Sequence, residues 1–199
     1  MTPLLALAII ASTCHAESLF NGRNLDGWDG DPALWRVENG ILIGDTSAKN
    51  IAANTFLIFK KPYADFHLTA EVKLRNGNSG IQFRSEHAPG DGWIVTGYQA
   101  DFSEDGDRSA WGNFYEEKGR GRNLMKTTDE GWRIAKPIYK QHDWNTVEII
   151  AKGPRMELKL NGKTTVIVTD DKSKTGVIAL QLHRGPAMRV EFRKIEVRK

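Results

Sequence analysis

Along most of the chain, apolar and polar residues alternate with the two-residue period of a β-strand. In residues 66–74, every second residue from Phe66 to Leu74 is apolar, and the residues between them are polar. This period places all the apolar side chains on one face of an extended strand. The same pattern, bounded by Gly, Asn and Asp, predicts strands or hairpins at residues 35–44, 78–85, 97–102, 144–151, 155–168, 176–183 and 188–197.

Two Asn-Gly pairs mark the turns of predicted hairpins. Asn39-Gly40 lies in the first hairpin and Asn161-Gly162 in a later one. The second pair suits a type I′ turn, because Asn and Gly both tolerate positive φ. No segment shows the apolar stripe and caps of a helix. About ten short strands joined by tight turns predict an all-β antiparallel sandwich, and a jelly roll is a natural form at this length.

Residues 103–137 interrupt the alternation. Few compact domains keep so long a stretch of weak structure unless it forms a lid or a binding loop. A disordered excursion is the alternative, but the stretch contains aromatic residues, which usually need burial or a ligand. These residues are Trp111, Phe114, Tyr115 and Trp132. We therefore expect this segment to contribute to a binding site.

The amino-terminal segment has the pattern of a secretory signal. Residues 1–16 contain no Asp, Glu, Lys or Arg, and a short apolar run is followed by small residues that suit cleavage before Glu17. The run is shorter than the roughly 20 apolar residues that span a bilayer. A lipoprotein signal ending at Cys14 and a buried N-terminal helix are the alternatives. Cleavage would leave residues 17–199 as one secreted or periplasmic domain without cysteine, which must be stabilised by its core.

The charge of the chain argues against a polyanionic partner. The 28 Lys and Arg residues against 25 Asp and Glu residues give a net charge of +3, and no basic run is longer than two residues. This balance predicts that neither a nucleic acid nor an anionic membrane surface is the partner.

Three of the predicted strands carry two functional side chains opposite their apolar face. The pairs are Gln82 with Arg84, Gln99 with Asp101, and Gln181 with His183. The members of a pair project the same way, about 7 Å apart along the strand. If the strands are neighbours, the six side chains form one polar patch. Each residue alone is also explained as solvated scaffold, but other strands present mainly Lys, Thr and Glu rather than amides, a guanidinium and an imidazole.

Such a patch suits a carbohydrate, because planar polar groups bind hydroxyls while aromatic rings cover the C–H faces of a sugar. Trp111 and Tyr115 are the expected stacking residues, and Glu116 is a further candidate contact. An ordinary retaining glycosidase needs two carboxylates about 5–5.5 Å apart. Residues 99–104 read Q-A-D-F-S-E, which is similar to a glucanase motif, but the nucleophile position holds Gln99. An amide is not an anionic nucleophile, so we exclude that mechanism here.

Six motifs together resemble the 3-keto-disaccharide hydrolase domain family and occur in the order seen in that family. The resemblance runs from about Ser18 to Lys199, which is nearly the whole mature chain. The motifs are S-L-F-N-G-R-N-L-D-G-W (18–28), N-S-G-I-Q-F-R-S (78–85), G-Y-Q-A-D (97–101), H-D-W-N-T-V-E-I (142–149), L-K-L-N-G-K (158–163) and V-I-A-L-Q-L-H-R-G (177–185). The resemblance implies a concanavalin A-like jelly roll of the lectin and glucanase type, a secreted or periplasmic bacterial protein, and cleavage of 3-keto-glycosides. Family members often have Glu where this chain has Gln99.

The resemblance also implies roles for the polar patch. A ketone at C3 acidifies the C2 proton of a glucoside, so a base can remove it, the enediolate expels the C1 substituent, and water adds to the 2-hydroxy-glucal. We expect His183 to be the base or a metal ligand, Asp101 to orient it or to share the metal ion, and Arg84 to stabilise the enediolate. The expected ligands of the sugar hydroxyls are Gln82, Gln99 and Gln181. A divalent metal ion could replace Arg84 in this role, but two candidate ligands do not define a metal site.

Two other classes of function stay open. Gln99 in place of the family's Glu favours a carbohydrate-binding module without turnover. His183 together with Asp101 and Arg84 favours an enzyme. A purely structural sandwich is the third class, and the aromatic residues of 103–137 argue against it.

Overall fold

The computed structural model of the chain describes residues 16–87, 92–104, 109–122, 124 and 129–199. The predicted signal segment lies outside the described residues except for Ala16. The regular elements are β1 (Glu17–Ser18), β2 (Trp28–Asp29), β3 (Trp35–Glu38), β4 (Ile41–Asp45), β5 (Thr55–Tyr63), β6 (Phe66–Asn76), β7 (Asn78–His87), β8 (Val95–Ser103), β9 (Asn113–Glu117), α1 (Glu130–Ala135), β10 (Asn145–Lys152), β11 (Arg155–Leu160), β12 (Lys163–Thr169), β13 (Gly176–Leu182) and β14 (Arg189–Arg198).

The strands form two antiparallel sheets. Within the described residues, the eight-stranded sheet has the order β12-β11-β10-β6-β14-β4-β3, with β1 paired to β14. The six-stranded sheet has the order β2-β5-β13-β7-β8-β9. Strands far apart in the chain are neighbours in a sheet: β13, near the end of the chain, lies between β5 and β7. The expected all-β antiparallel sandwich is confirmed.

The main core lies between the two sheets and is built from alternating side chains. Leu68 and Val72 of β6 contribute from the eight-stranded sheet, and Phe83 of β7 and Leu180 of β13 contribute from the six-stranded sheet. All four are fully buried. The ring centroids of Phe66 and Phe83 lie 6.2 Å apart across the interface, in an edge-to-face arrangement that aromatic pairs favour. The residues that alternate in the sequence are therefore the residues that bury apolar surface on folding.

Both predicted Asn-Gly hairpin turns are present. Asn39 and Gly40 have φ values of 51° and 78°, and Asn161 and Gly162 have φ values of 48° and 82°. Two successive positive φ angles are the backbone signature of a type I′ turn, whose twist matches that of the flanking strands. These turns set the register of β3 with β4 and of β11 with β12.

Strand β5 was not predicted, because its sequence T-F-L-I-F-K-K-P-Y does not alternate. Leu57 faces the main core, whereas Phe56 and Ile58 lie on the opposite face, in a second apolar cluster with Val95 and Ala179. A strand that is covered on both faces reads as a continuous apolar run. The outer face of the six-stranded sheet is therefore itself partly covered.

Residues 103–137, which interrupt the alternation, contain an edge strand and a helix. β9 pairs with β8 and ends the six-stranded sheet, and α1 is six residues long. Phe114 of β9 enters the main core. In the described part of the chain, no helix has the length and apolar character needed to cross a membrane.

Candidate functional site

The three strands with paired polar side chains are neighbours in the six-stranded sheet. β7 lies between β13 and β8. Gln82 is opposite Gln99 on β8 and opposite Ala179 on β13. Because the intervening residues Ile81 and Ala100 face the core, the amide side chains share the outer face of the sheet.

The side-chain amides on this face form one hydrogen-bonded chain. Gln82 Nε2 donates to Gln99 Oε1 at 2.8 Å. Gln99 Nε2 lies 3.2 Å from Asp101 Oδ1 and 3.4 Å from Gln181 Oε1. Gln181 Nε2 then donates to Glu117 Oε2 at 3.2 Å. All three glutamines are buried, so each fixes the orientation of the next before any ligand binds, which lowers the entropic cost of binding.

A glycine provides the space for this chain. Gly80 is opposite Asp101 in the sheet, and a Cβ atom at Gly80 would lie 2.3 Å from Gln99 Cδ. That distance is far below van der Waals contact, and the Gln99 amide is held by its neighbours. A side chain at Gly80 would therefore displace the central amide of the chain.

A pocket of about 180 Å³ opens beside the amides, and we call it the amide pocket. Its lining consists of groups that form hydrogen bonds: Asn54, Asn78, Gln99, Asp101, Tyr115, Glu117, Arg122, Gln181 and His183. Amides supply both donors and acceptors, the carboxylates accept, and the guanidinium donates. This combination matches the hydroxyl groups of a sugar ring, each of which donates and accepts.

Asp101 has a perturbed carboxyl group. Burial raises the pKa of Asp101 above its ordinary value, although hydrogen bonds from Arg122 and Gln99 and the nearby His183 act in the opposite direction. Arg122 Nη2 lies 3.2 Å from Asp101 Oδ2. A buried acid that is incompletely compensated is typical of sites where protons or charge move.

His183 follows β13 and is fixed by its main chain and by its ring. Its backbone N–H lies 3.2 Å from Met188 Sδ, and ring Nδ1 lies 2.6 Å from the carbonyl oxygen of Arg184. A carbonyl oxygen only accepts, so Nδ1 carries the proton in this contact and neutral His183 keeps its lone pair on Nε2. That tautomer leaves Nε2 able to accept a proton.

The edge strand β9 adds two side chains to the site. Tyr115 is opposite Gln99, and Glu117 is opposite Gly97. Burial, with the nearby Glu117 and Asp101 carboxylates, raises the pKa of the Tyr115 phenol, which therefore stays a neutral donor. Sequence reasoning did not assign Glu117 to the patch. The available signal was that Glu117 lies two residues after Tyr115, so both side chains project from the same face of a strand.

Three further lining residues had a weaker signal. Asn78 shares the parity of Gln82 on β7, but it is the first residue of the strand. Asn54 directly precedes β5, and Arg122 follows the turn after β9. Asn54 connects two site residues, since Nδ2 lies 3.3 Å from Glu117 Oε1 and Oδ1 accepts the backbone N–H of Arg184 at 3.0 Å. Loop positions of this kind carry no periodicity.

The structure corrects the placement of Arg84. The register of β7 with β8 shifts between Phe83 and Glu86, and Arg84 has a φ of 46°. Such a bulge breaks the alternation and turns the side chain away from the patch. The guanidinium is buried and donates to Ala64 O and Gly153 O, both at 2.7 Å. Arg84 therefore joins turns to the sheet, and the guanidinium of the amide pocket belongs to Arg122.

Trp111 also lies elsewhere. Its ring is 1% exposed and stacks on Phe102 with centroids 4.8 Å apart, within the main core. Indole Nε1 donates to Glu104 Oε1 at 3.3 Å. Trp111 satisfies the expected need for burial by packing between the sheets, so it does not stack on a ligand in the amide pocket. Tyr115 is the aromatic residue that does line it.

Glu116 and Gln82 are displaced from the pocket for simpler reasons. Glu116 has the opposite parity to Glu117, so its carboxylate points away and forms ion pairs with Arg120 and Lys172. Gln82 lies on the predicted face but beneath the lining, where Ser85 Oγ donates to its Oε1 at 2.7 Å. Its role is to orient Gln99.

The described residues of the amide pocket do not form a metal site. Among the residues that the structure describes, no group of three or more His, Cys, Asp or Glu side chains is arranged to hold a metal ion. Asp101 Oδ2 already contacts the Arg122 guanidinium, and a bound cation beside that group would be repelled. We therefore derive no step through a metal ion.

Solved structures with a similar fold include enzymes and binding modules. A proposed glycosyl hydrolase from Parabacteroides distasonis is 21% identical, with a TM-score of 0.68, and the alignment covers 96% of this chain and 97% of that one. The carbohydrate-binding module CBM66 from Bacillus subtilis is 16% identical, with a TM-score of 0.62 and coverages of 87% and 96%. A β-glucanase from Bacillus licheniformis is 8% identical, with a TM-score of 0.54 and coverages of 93% and 97%. At these identities the likeness establishes the fold, and the expected jelly roll is confirmed.

The sequence comparison is more specific than the structural one. No curated protein matches the chain significantly. The family profile described as the 3-keto-alpha-glucoside-1,2-lyase-like domain matches residues 15–198. That span contains every strand of both sheets and every residue of the amide pocket. The expected family is therefore confirmed, and this chain belongs to the 3-keto-alpha-glucoside-1,2-lyase-like domain family.

Proposed function

We propose that this protein cleaves 3-keto-glycosides and that the amide pocket binds the oxidised sugar. The observation that carries the proposal is the joint presence of His183, Asp101, Glu117 and Arg122 with ordered amides around one pocket. The amide pocket contains a base, carboxyl groups, one guanidinium and neutral amides that can bind the hydroxyl groups of a sugar. Each is a component that a proton-transfer reaction on a carbohydrate requires.

His183 serves as the general base in this proposal. The C3 ketone acidifies the C2 proton, and His183 Nε2 accepts it. The electron pair of the C2–H bond forms an enediolate, the C1–O bond breaks, and the aglycone oxygen leaves with that bonding pair and takes up a proton. Water then adds to the 2-hydroxy-glucal, and the net result is hydrolysis. No step needs a carboxylate nucleophile, so Gln99 is compatible with the chemistry.

Arg122 and the amides stabilise the negative charge that develops. A guanidinium beside the pocket can donate to the enediolate oxygen, the role expected earlier for Arg84. Asp101 holds Arg122 at 3.2 Å, and its raised pKa makes it a second site for a proton. The glutamine amides hold hydroxyl groups in fixed positions, which favours one orientation of the ring.

A carbohydrate-binding module without turnover is the second candidate function. The observation that favours it is Gln99, which places a neutral amide at the centre of the polar chain where family members often have Glu. An amide binds hydroxyls but is neither a general acid nor a general base near neutral pH. In this case the pocket would bind unoxidised glucosides.

Turnover of a 3-keto-glucoside by the purified protein tests the proposal. Loss of the keto sugar is followed by NMR, with and without an added divalent metal ion, for the wild type and for His183→Gln. The matched control is His67→Gln, a histidine paired with Glu148 on the other sheet. We expect His183→Gln to lower kcat/KM by about 10²- to 10⁴-fold, as removal of a general base does, and His67→Gln to leave it unchanged.

One outcome contradicts the enzyme, and another contradicts the role of His183. If the wild type binds glucosides but consumes no keto sugar in either condition, the binding module is the function. If His183→Gln retains kcat/KM within threefold of wild type, another group is the base.

We also propose export to the periplasm or medium through the predicted signal at 1–16, which N-terminal sequencing of the mature protein tests.

A further inference from the structure

A second pocket of about 310 Å³ adjoins the amide pocket. Asn54, Tyr115, Glu117 and His183 line both of them. The two pockets therefore share a wall that contains the proposed base. A molecule that fills both has its bond to be cleaved near His183, with one part on each side.

The second pocket has a different lining. In place of Gln99, Asp101 and Gln181, it has apolar residues and two cations: Ala53, Phe56, Ile94, Lys118 and Arg184. Phe56 is fully buried in the apolar cluster on the outer face of the six-stranded sheet, so the apolar surface that a ligand can contact comes from Ala53 and Ile94. We call this pocket the cationic pocket.

The two cations project from backbone that is tied to the site. Arg184 N–H donates to Asn54 Oδ1, and Arg184 O contacts His183 Nδ1. Lys118 has a φ of 52° in the turn after β9, which is closed by the Glu116 N–H bond to Gly121 O at 2.9 Å. Within the described residues, neither the Lys118 ammonium nor the Arg184 guanidinium forms an ion pair. Both charges are therefore available to a ligand.

We infer that the cationic pocket binds the aglycone and selects 3-keto-glucosides whose aglycone is an apolar ring bearing a negative charge. This inference rests on the proposed function. The apolar part of the lining favours an aromatic or aliphatic ring over a second sugar, whose hydroxyl groups would be left unpaired against Ala53 and Ile94. Lys118 and Arg184 outnumber the Glu117 carboxylate that also lines this pocket. Glu117 already accepts from Asn54 and Gln181, so the two cations favour a carboxylate over a neutral group. They also stabilise the aglycone oxygen as it leaves C1 with the bonding electron pair.

The test uses two matched substrates, the 3-keto derivatives of 4-carboxyphenyl and 4-carboxamidophenyl glucoside. They have nearly the same shape and differ by one charge. We measure the ratio of their kcat/KM values in the wild type and in the double variant Lys118→Gln/Arg184→Gln. Comparing ratios cancels the intrinsic difference between the two leaving groups. Arg184→Gln keeps both backbone contacts of residue 184.

We expect the double variant to lower the ratio by about tenfold, the size of two partly exposed charge contacts. Salt should lower the wild-type ratio as well, because exposed charges are screened. The control is Lys163→Gln/Arg198→Gln, which removes the same charge from the eight-stranded sheet and should leave the ratio unchanged. A ratio unaffected by Lys118→Gln/Arg184→Gln, or a wild type that prefers a 3-keto-disaccharide, overturns the inference.

Equilibrium binding separates this inference from the proposed function. The unoxidised 4-carboxyphenyl and 4-carboxamidophenyl glucosides are titrated into wild type and double variant by calorimetry. If no 3-keto-glucoside is consumed, the proposed function fails. Tighter binding of the carboxylate that disappears in the double variant then still supports the cationic pocket as an anion-selective site. Equal binding of both glucosides to the wild type contradicts it.

Discussion

Glu116 and Glu117 are consecutive residues of β9, yet they lie in two regions with opposite electrostatics. Glu116 lies on the core-facing side of the six-stranded sheet, opposite Tyr98, and forms ion pairs with Arg120 and Lys172. Glu117 points to the outer face, where its oxygens accept from the amides of Asn54 and Gln181. Strand alternation sends the two carboxylates to opposite sides of one sheet.

In the first region, which we call the ion-pair cluster, every carboxylate is matched by cations. The cluster consists of Glu116, Arg120, Asp170 and Lys172, with the hydroxyl of Tyr98 donating to Asp170. Burial alone would raise the pKa of Glu116, but hydrogen bonds from Arg120 and Lys172 hold it below its ordinary value. Hydrogen bonds from Arg120 lower the pKa of Asp170 to about 2. In such a region the carboxylates and cations neutralise one another, so none of these four charged groups is left unpaired for a ligand.

In the second region, the amide pocket, the balance is reversed. Asp101 is buried, one partly exposed Arg122 faces it, and the pKa of Asp101 is raised. The neighbours are amides, which orient charges without neutralising them. The difference teaches that a cluster of ionisable residues is structural where cations match the carboxylates, and is a candidate site where burial leaves them unmatched.

Arg84→Met is expected to have the largest effect on stability. Removing the guanidinium leaves the Ala64 and Gly153 carbonyl oxygens without their donor and the Asp65 carboxylate without its cation. We expect a loss of about 3 kcal/mol in the free energy of unfolding, typical of breaking a buried charged network. Urea denaturation measures it.

The control for Arg84→Met is Arg193→Met, which breaks the ion pair of Arg193 with Glu71. The Arg193 side chain is about one-third exposed. We therefore expect Arg193→Met to lower the free energy of unfolding by roughly 1 kcal/mol or less. If Arg84→Met instead keeps full stability but loses turnover, Arg84 is functional after all and its assignment to the scaffold is wrong.

Asp170→Asn tests the ion-pair cluster and should have the next largest effect. The folded pKa of about 2 lies below the unfolded value of 3.8, so ionised Asp170 stabilises the fold above pH 4. That contribution is about 2 kcal/mol and is lost as pH falls towards 2. We expect wild type and Asp170→Asn to differ by this amount at pH 7, with a difference in urea titrations that shrinks as pH falls below 4 and vanishes only below pH 2. The control is Asp26→Asn, in an exposed turn, which should match the stability of wild type at pH 7. An Asp170→Asn variant as stable as wild type at pH 7 would contradict the cluster's role.

Asp101→Asn should have the smallest effect, with the opposite sign. The folded pKa of Asp101 is raised, so its ionised form is disfavoured in the fold, and wild-type stability falls as pH rises from the ordinary value of 3.8 to the raised folded pKa. Asn carries no charge, so we expect Asp101→Asn to be more stable than wild type by about 1 kcal/mol at pH 7. The gain should disappear below pH 4, where both side chains are neutral.

The Asp101→Asn result distinguishes function from scaffold when turnover is measured beside unfolding. A variant that gains stability and loses kcat/KM identifies a residue retained for chemistry at a cost to the fold. A variant that loses stability at pH 7 would show that Asp101 belongs with the matched carboxylates of the ion-pair cluster.

Two of the placements that sequence reasoning got wrong have causes that the alternating pattern did not reveal. Arg84 has the correct parity, but the bulge after Phe83 breaks the alternation. Trp111 looked like a loop residue with a free ring, but it stacks on Phe102 inside the core. Bulges and core insertions depend on contacts between distant segments, so no short window of sequence records them.

The sequence by itself determined the strands that alternate, their buried faces, the two Asn-Gly turns and the amide face of three strands, but not β5 or β9. These features follow from a two-residue period and from local backbone preferences, which act within a few residues. The tertiary structure alone decided which cation stands beside Asp101, which of two adjacent glutamates lines the pocket, and that a second, cationic pocket adjoins it. Those outcomes depend on strand order and on the path of turns, where residues far apart in the chain become neighbours through packing.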